Sequence, residues 1–145
     1  MCLFCNIISG NEEGYFVYRD KDVSAILDKY PSAPGHTLVM PNRHFNDILT
    51  TEKSLLPHLI EKTVFIARSI KEVLNAEGVR LLTNVGRTSG QVIFHTHVHI
   101  IPSWEILPSM FSNFVPRRMQ EESYYTSLQK VISQYIKSSI EKEIN

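Results

Sequence analysis

The run Val92-Ile93-Phe94-His95-Thr96-His97-Val98-His99-Ile100-Ile101-Pro102 constrains this chain more than any other. Apolar and β-branched residues dominate it and a proline closes it, which is the signature of a strand. Side chains on a strand alternate between faces. Phe94, Thr96, Val98 and Ile100 are therefore expected on one face, and His95, His97 and His99 on the other. Half of the chain's six histidines would line one short stretch of a sheet.

Three readings compete for that pattern. One is the incidental polar face of a half-buried strand. Another is a single metal held by all three imidazoles. On a strand the Cα atoms of His95 and His99 stand about 13 Å apart, at ~3.3 Å per residue. Rings perpendicular to the sheet cannot converge on one ion at about 2.0–2.1 Å, although two adjacent ones could share it. The favoured reading is a nucleophile with a helper about 6–7 Å away on each side, suited to a phosphoryl or acyl group lying across the strand.

The remaining pattern supplies a sheet and two helices. Phe4 to Gly10 reads as one helical turn. Tyr15–Tyr18 and Val23–Leu27 read as a hairpin around Arg19-Asp20-Lys21-Asp22, delivering Asp28 at its end. Tyr30 to Gly35 is a loop stiffened by two prolines, followed by a strand from His36 to Met40 that stops at Pro41. Thr51 to Asn75 reads as one long helix, starting at Thr51 or Ser54. Leu56, Ile60, Val64, Ala67, Ile70 and Leu74 form its expected buried stripe, with His58 a surface or packing residue. Val79–Thr83 is a further strand, and Gly86 to Gly90 a mobile turn. Ser103 to Arg118 is irregular, of the kind that forms lids or partner contacts. Glu121 to Glu143 is a last helix with Leu128, Val131, Ile132, Tyr135, Ile136 and Ile140 on one side. The expectation is one α+β domain over residues 1–145, with an antiparallel five-stranded sheet, one long central helix and a C-terminal helix.

Charge excludes little but points to local recognition. Lys plus Arg equals Asp plus Glu, 15 each, so no global field draws the chain to nucleic acid or a membrane. No apolar run approaches the ~20 residues of a membrane span, and no signal peptide is visible, so the cytoplasm is the expected compartment. The two cysteines, Cys2 and Cys5, form a C-x-x-C. A redox pair, half of a zinc site and two inert thiols all fit that spacing, and zinc would need two histidines from elsewhere.

His95-Thr96-His97-Val98-His99-Ile100-Ile101 is similar to the histidine-triad (HIT) signature, three alternating histidines followed by two apolar residues. The resemblance extends to Asp28, to Pro31 through Pro41, to Arg43-His44, to Asn84-Val85-Gly86 and to Gly90-Gln91. It covers about residues 2–102, leaving 103–145 as a less diagnostic loop and helix. It implies a HIT-like fold pairing as a homodimer through its sheets, here along the long helix and the Val79–Thr83 edge. It also implies a nucleotide hydrolase or transferase that cleaves a phosphoanhydride or phosphoramidate at the α-phosphorus of a purine nucleotide containing AMP or GMP. By that resemblance His97 is the nucleophile and forms a nucleotidyl-histidine. His99 serves the phosphate and leaving group, His95 supports the site, and His36 joins the proton network. Turn-end hydrogen bonding is the alternative for His36. Asp28 would accept the ribose hydroxyls, with an Asx turn as its alternative. Asn84, Gly90, Gln91 and Val92 fall at nucleotide-facing positions. Leu3, Phe4, Ile7, Ile26 and Leu27 are candidates for the base pocket or for ordinary core.

Two positions depart from the family pattern. Several hydrolase branches carry Ser or Thr where Val92 stands, and zinc-bearing relatives often carry arginine near Ser103-Trp104. In those zinc-bearing relatives the metal ligands match Cys2, Cys5, His44 and His95, which implies one structural zinc. A nucleotide-binding regulatory or protein-interaction module with weak residual activity is the competing function.

Overall fold

The computed structural model describes residues 2–144. Helix α1 (Leu3–Ser9) leads into β1 (Phe16–Arg19), β2 (Val23–Leu27) and β3 (Thr37–Pro41). Helix α2 (Leu56–Val73) follows, then β4 (Gly78–Leu82), β5 (Val98–Ser103) and α3 (Glu122–Ile144). The strands form one antiparallel sheet in the order β1-β2-β3-β5-β4. This is the expected α+β architecture: five strands, a central helix and a C-terminal helix.

Alternation divides the sheet into two working faces. Val23, Ala25, Leu27, Val39 and Ile100 share the main core with Leu59, Ile66, Ala67 and Ile70 of α2 and Leu128, Ile132 and Ile136 of α3. Ile26, Leu38 and Met40 point the other way and pack with Phe4 and Ile7 of α1. A sheet this short leaves that second face only partly covered by α1, and the open remainder is where a ligand can lie. Among the described residues no helix is long and apolar enough to cross a membrane.

Four expectations about elements need correction. The histidine strand starts at Val98, not Val92. Residues 92–97 direct their hydrogen bonds elsewhere: the Thr96 N–H donates to the Phe45 carbonyl at 2.8 Å, and the Thr96 hydroxyl pairs with that of Thr51 at 2.7 Å. The long helix begins at Leu56, after a 3₁₀ turn at Lys53–Leu55, with Pro57 in its first turn where a missing N–H costs nothing. Its buried stripe runs through Leu59, Thr63, Ile66, Ala67, Ser69 and Ile70, while Ile60 and Val64 are 48% and 40% exposed. Thr63 and Ser69 tolerate burial because each hydroxyl donates back to a carbonyl one turn earlier, Leu59 and Phe65. On α3, Val131 is likewise exposed although its neighbours Leu128 and Ile132 are buried. His58 is fixed by a hydrogen bond with the Asp20 carboxylate at 2.8 Å.

Candidate functional site: two histidine clusters beside one cavity

Between α1 and the open sheet face lies a cavity of about 330 Å³. Phe4, Ile7, Ile26 and Leu38 line its apolar end, Asp28 and Tyr30 one rim, and Gly90, Val92, His97 and His99 the other. All five base-pocket candidates, Leu3, Phe4, Ile7, Ile26 and Leu27, belong to its lining. Leu38 was not singled out from the sequence, although its register opposite both Ile26 and His99 puts it there.

Each ring is oriented by a fixed partner, and the partners determine which nitrogen carries the proton. His97 Nδ1 lies 2.6 Å from the His95 carbonyl, which can only accept. The proton is therefore on Nδ1, and Nε2 keeps a free lone pair on a residue that lines the cavity. His36 is wired in the opposite sense. Its Nδ1 accepts the Ser32 backbone N–H at 3.0 Å, so Nε2 carries the proton and donates it to His99 Nδ1 at 2.9 Å. That leaves His99 with its own N–H on Nε2. Burial holds all three rings below the ordinary histidine value, and with the neighbouring His97 and His36 it takes His99 down to about 4. All three are neutral at pH 7, as these hydrogen bonds require.

Asp28 closes the chain of contacts. Oδ1 accepts the Tyr30 N–H at 2.8 Å, an Asx turn, and Oδ2 is 3.5 Å from His36 Nε2. The Asx turn suggested by the sequence is present, and it holds the carboxylate on the cavity rim. Gly35 permits the following step: its φ of +83° and the 2.6 Å separation between an added Cβ and Leu74 exclude a side chain just before His36. The loop from Asp28 to His36 is held from outside the sheet as well. The Arg117 N–H donates to the Pro31 carbonyl at 2.7 Å, the Tyr125 hydroxyl to that of Lys29 at 2.7 Å, and the Gly35 N–H to the Tyr124 hydroxyl at 3.0 Å. None of residues 103–118 lines the cavity, so this segment braces the loop and does not cover the opening.

Asn84 and Gln91, expected to face a nucleotide, do not line the cavity either. Asn84 donates to the Ser89 carbonyl, and Gln91 is buried with its amide bonded to the carbonyls of Asn46 and Ile93 and to the Gly86 N–H. Both shape the loop that presents Gly90 and Val92. Val92 is 81% exposed at the cavity mouth and brings no hydroxyl to it.

His95 turns away from the other two. Its Nε2–H donates to the Pro41 carbonyl at 2.8 Å, leaving Nδ1 as a lone pair among Cys2 Sγ at 3.4 Å, Cys5 Sγ at 3.5 Å and His44 Nδ1 at 3.3 Å. His44 Nε2 lies 3.3 Å from Asn46 Oδ1, so its Nδ1 is free too, 3.5 Å from Cys5 Sγ. A tetrahedral ion about 2.0–2.1 Å from nitrogen and about 2.3 Å from sulfur sets its donors roughly 3.3–3.8 Å apart. The four residues fit that geometry, and Pro41 and Asn46 supply the acceptors that metal-bound imidazoles use to fix their tautomers. Asn46, two residues after His44, and the backbone partners of the other rings left no mark that sequence reading could have used.

The triad geometry and the family model agree. Residues 9–106 match the HIT domain. The chain belongs to the HIT family. A crystal structure of a hypothetical histidine triad nucleotide-binding protein from Sulfolobus tokodaii superposes with a TM-score of 0.92 at 50% identity, covering 94% of this chain and 93% of that one. A zinc-bound histidine triad family protein from Mycobacterium smegmatis superposes with a TM-score of 0.82 at 27% identity, covering 97% and 96%. Among characterised relatives, the adenylylsulfatase HINT3 of Arabidopsis thaliana is 38% identical over 104 residues, 72% of this chain and 53% of that protein.

Proposed function

We propose that this HIT protein cleaves nucleoside phosphates at the α-phosphorus through a covalent nucleotidyl-His97. The observation that carries this is the 2.6 Å hydrogen bond from His97 Nδ1 to the His95 carbonyl, which leaves Nε2 as a nucleophilic lone pair at the cavity. The base enters among Phe4, Ile7, Ile26 and Leu38, and Asp28 accepts the ribose hydroxyls with its remaining lone pairs. His97 Nε2 attacks phosphorus, forming a P–N bond as the bond to the leaving group breaks. The His99 Nε2–H hydrogen-bonds the departing group, which leaves as an oxyanion or takes its proton from solvent, and the His36 N–H donated to Nδ1 holds His99 in that tautomer. Water then attacks phosphorus and gives its proton to solvent as the P–N bond breaks, the bonding pair returning to His97 Nε2, and a nucleoside monophosphate is released. Phosphoanhydrides and phosphoramidates both meet these requirements; the Arabidopsis relative, an adenylylsulfatase, is named for a substrate of the same α-phosphoryl kind.

We further propose that Cys2, Cys5, His44 and His95 hold one zinc ion. With four protein ligands the metal supplies cross-linking and no open position for water. Cys2 and Cys5 thereby tie α1, one wall of the cavity, to His95, whose carbonyl orients the nucleophile. We also propose a homodimer across the β4 edge: Ile60 and Val64, one turn apart on α2, and Leu81 on β4 leave apolar surface exposed there. Sedimentation at micromolar concentration tests it, and a monomer refutes it.

The chemical step is tested by mixing the protein with adenosine 5′-phosphoramidate or a diadenosine polyphosphate and quenching without acid. Intact-mass spectrometry should show one added nucleoside monophosphate, mapped to His97. Turnover without a trappable adduct, undiminished in His97→Ala protein, would remove the covalent mechanism.

A further inference from the structure

Arg80 lies on β4, at the sheet edge beyond the histidine strand. The ladder places it opposite Ile101 and places Leu82 opposite His99, which in turn faces Leu38 of the cavity. With alternation, Arg80, Leu82, His99 and Leu38 project from the same face. Diagonal neighbours on such a face are about 7–8 Å apart, within reach of a long side chain. Arg80 is exposed, and among the described residues it enters no ion pair and its side chain makes no hydrogen bond. Lys29 is the one lysine or arginine lining the cavity, and its Nζ is bonded to the Glu13 carbonyl at 2.9 Å.

The sheet therefore carries an order of chemistry along its strands. Apolar groups of α1 and β2 stand at one side, neutral His97 just before β5 and His99 on it in the middle, and an unpaired guanidinium on β4 beyond them. A nucleotide with its base at the apolar end and its α-phosphorus at His97 has its leaving group extending past β5. The positive charge of Arg80 is felt as far as His36, where it disfavours the imidazolium. An oxyanion next to His99 is within the same field.

Building on the α-phosphoryl reading above, we propose that Arg80 binds the anionic part of the leaving group, so that the preferred substrates carry a phosphate or sulfate there and not a neutral amine. Guanidinium pairs well with such oxyanions, and its contact is worth most where the leaving group bears charge. Arg80 is thus a specificity residue for the group that departs, separate from the residues that hold the nucleoside.

The test compares Arg80→Gln with the wild-type protein on a diadenosine polyphosphate, adenosine 5′-phosphosulfate and adenosine 5′-phosphoramidate. Losing the contact should lower kcat/KM about tenfold to a hundredfold for the phosphate- and sulfate-leaving substrates, as loss of a charge-assisted hydrogen bond does, and less than about twofold for the phosphoramidate. Loss on only one of the first two shows whether the site is tuned to phosphate or to sulfate. Arg80→Lys should restore part of the loss. Equal losses on all three substrates, no loss on any, or a loss accompanied by changed sedimentation would overturn the proposal. Calorimetry with AMP and with α,β-methylene-ADP reads the contact without turnover. The wild type should prefer the diphosphate analogue and Arg80→Gln should not, even if no substrate proves to be cleaved; an unchanged preference overturns the Arg80 assignment by itself.

Discussion

Two groups of histidines flank the cavity, and their geometry is superficially alike. Cys2, Cys5, His44 and His95 bring four donor atoms within 4.8 Å of one another, and Asp28, His36 and His99 bring three. The difference lies one layer out. His95 and His44 give their outer N–H groups to acceptors, Pro41 and Asn46, and so turn lone pairs inward. His36 receives an N–H from Ser32 and so turns its own proton inward. A cation at the second cluster would have to displace that proton and set the Ser32 N–H against a protonated Nδ1. The first cluster turns lone pairs toward one point and the second turns a proton inward, and the distinction comes from the Pro41 carbonyl, the Asn46 side chain and the Ser32 N–H in the surrounding loops.

The comparison can be broken most decisively at the residue between the clusters. His97→Ala should lower turnover by more than about ten-thousandfold while nucleoside monophosphate still binds, since removing a covalent nucleophile costs on that scale. Steady-state kinetics and calorimetry read the two effects separately, and near wild-type turnover would leave the wiring of His97 without a function. Next in size, Cys2→Ser/Cys5→Ser protein should lose its zinc and melt lower by more than about 10 °C. His36→Asn should keep one equivalent of zinc by elemental analysis. A second equivalent lost specifically in His36→Asn would contradict the contrast between the clusters.

A smaller effect concerns the carboxylate. Asp28→Ala should weaken ribonucleotides about tenfold in calorimetry, the scale of one charge-assisted hydrogen bond, and 2′,3′-dideoxynucleotides far less. Equal weakening would make the Asx turn its sole role. The smallest effect is in pH. The folded value of His99, about 4, lies below its ordinary 6.5, so the unfolded chain takes up the proton first as pH falls. Its stabilising contribution is full above about 6.5 and is lost between there and about 4. Denaturant midpoints across that range should fall less steeply in His99→Asn than in the wild type, and parallel curves would contradict the burial of this ring.

The sequence made the hairpin, the C-x-x-C, the triad and the apolar cavity wall legible because each is a local pattern of residue types. Strand β2 coincides with the expected Val23–Leu27. The six residues before β5 did not follow their strand-like composition, since Thr96 finds its partners at Phe45, Asp47 and Thr51, far away in the chain. Ile60 and Val64 were misassigned for a related reason. Helix α2 has apolar residues on two sides, and periodicity alone does not tell which side meets the sheet. The tautomers were wholly hidden, because the Pro41 and His95 carbonyls and the Ser32 N–H belong to groups that every residue carries.

The braces on the Asp28–His36 loop have a consequence for how such proteins diversify. The family model ends at residue 106, yet Arg117, Tyr124 and Tyr125 hold the loop that carries the Asp28 carboxylate. Two relatives alike through residue 106 and different afterwards would inherit the same histidines on differently tensioned loops. Grafting one tail onto another body should then retune sugar selection while leaving the triad's own chemistry in place, so the part of the chain outside the family model becomes a dial on the part inside it.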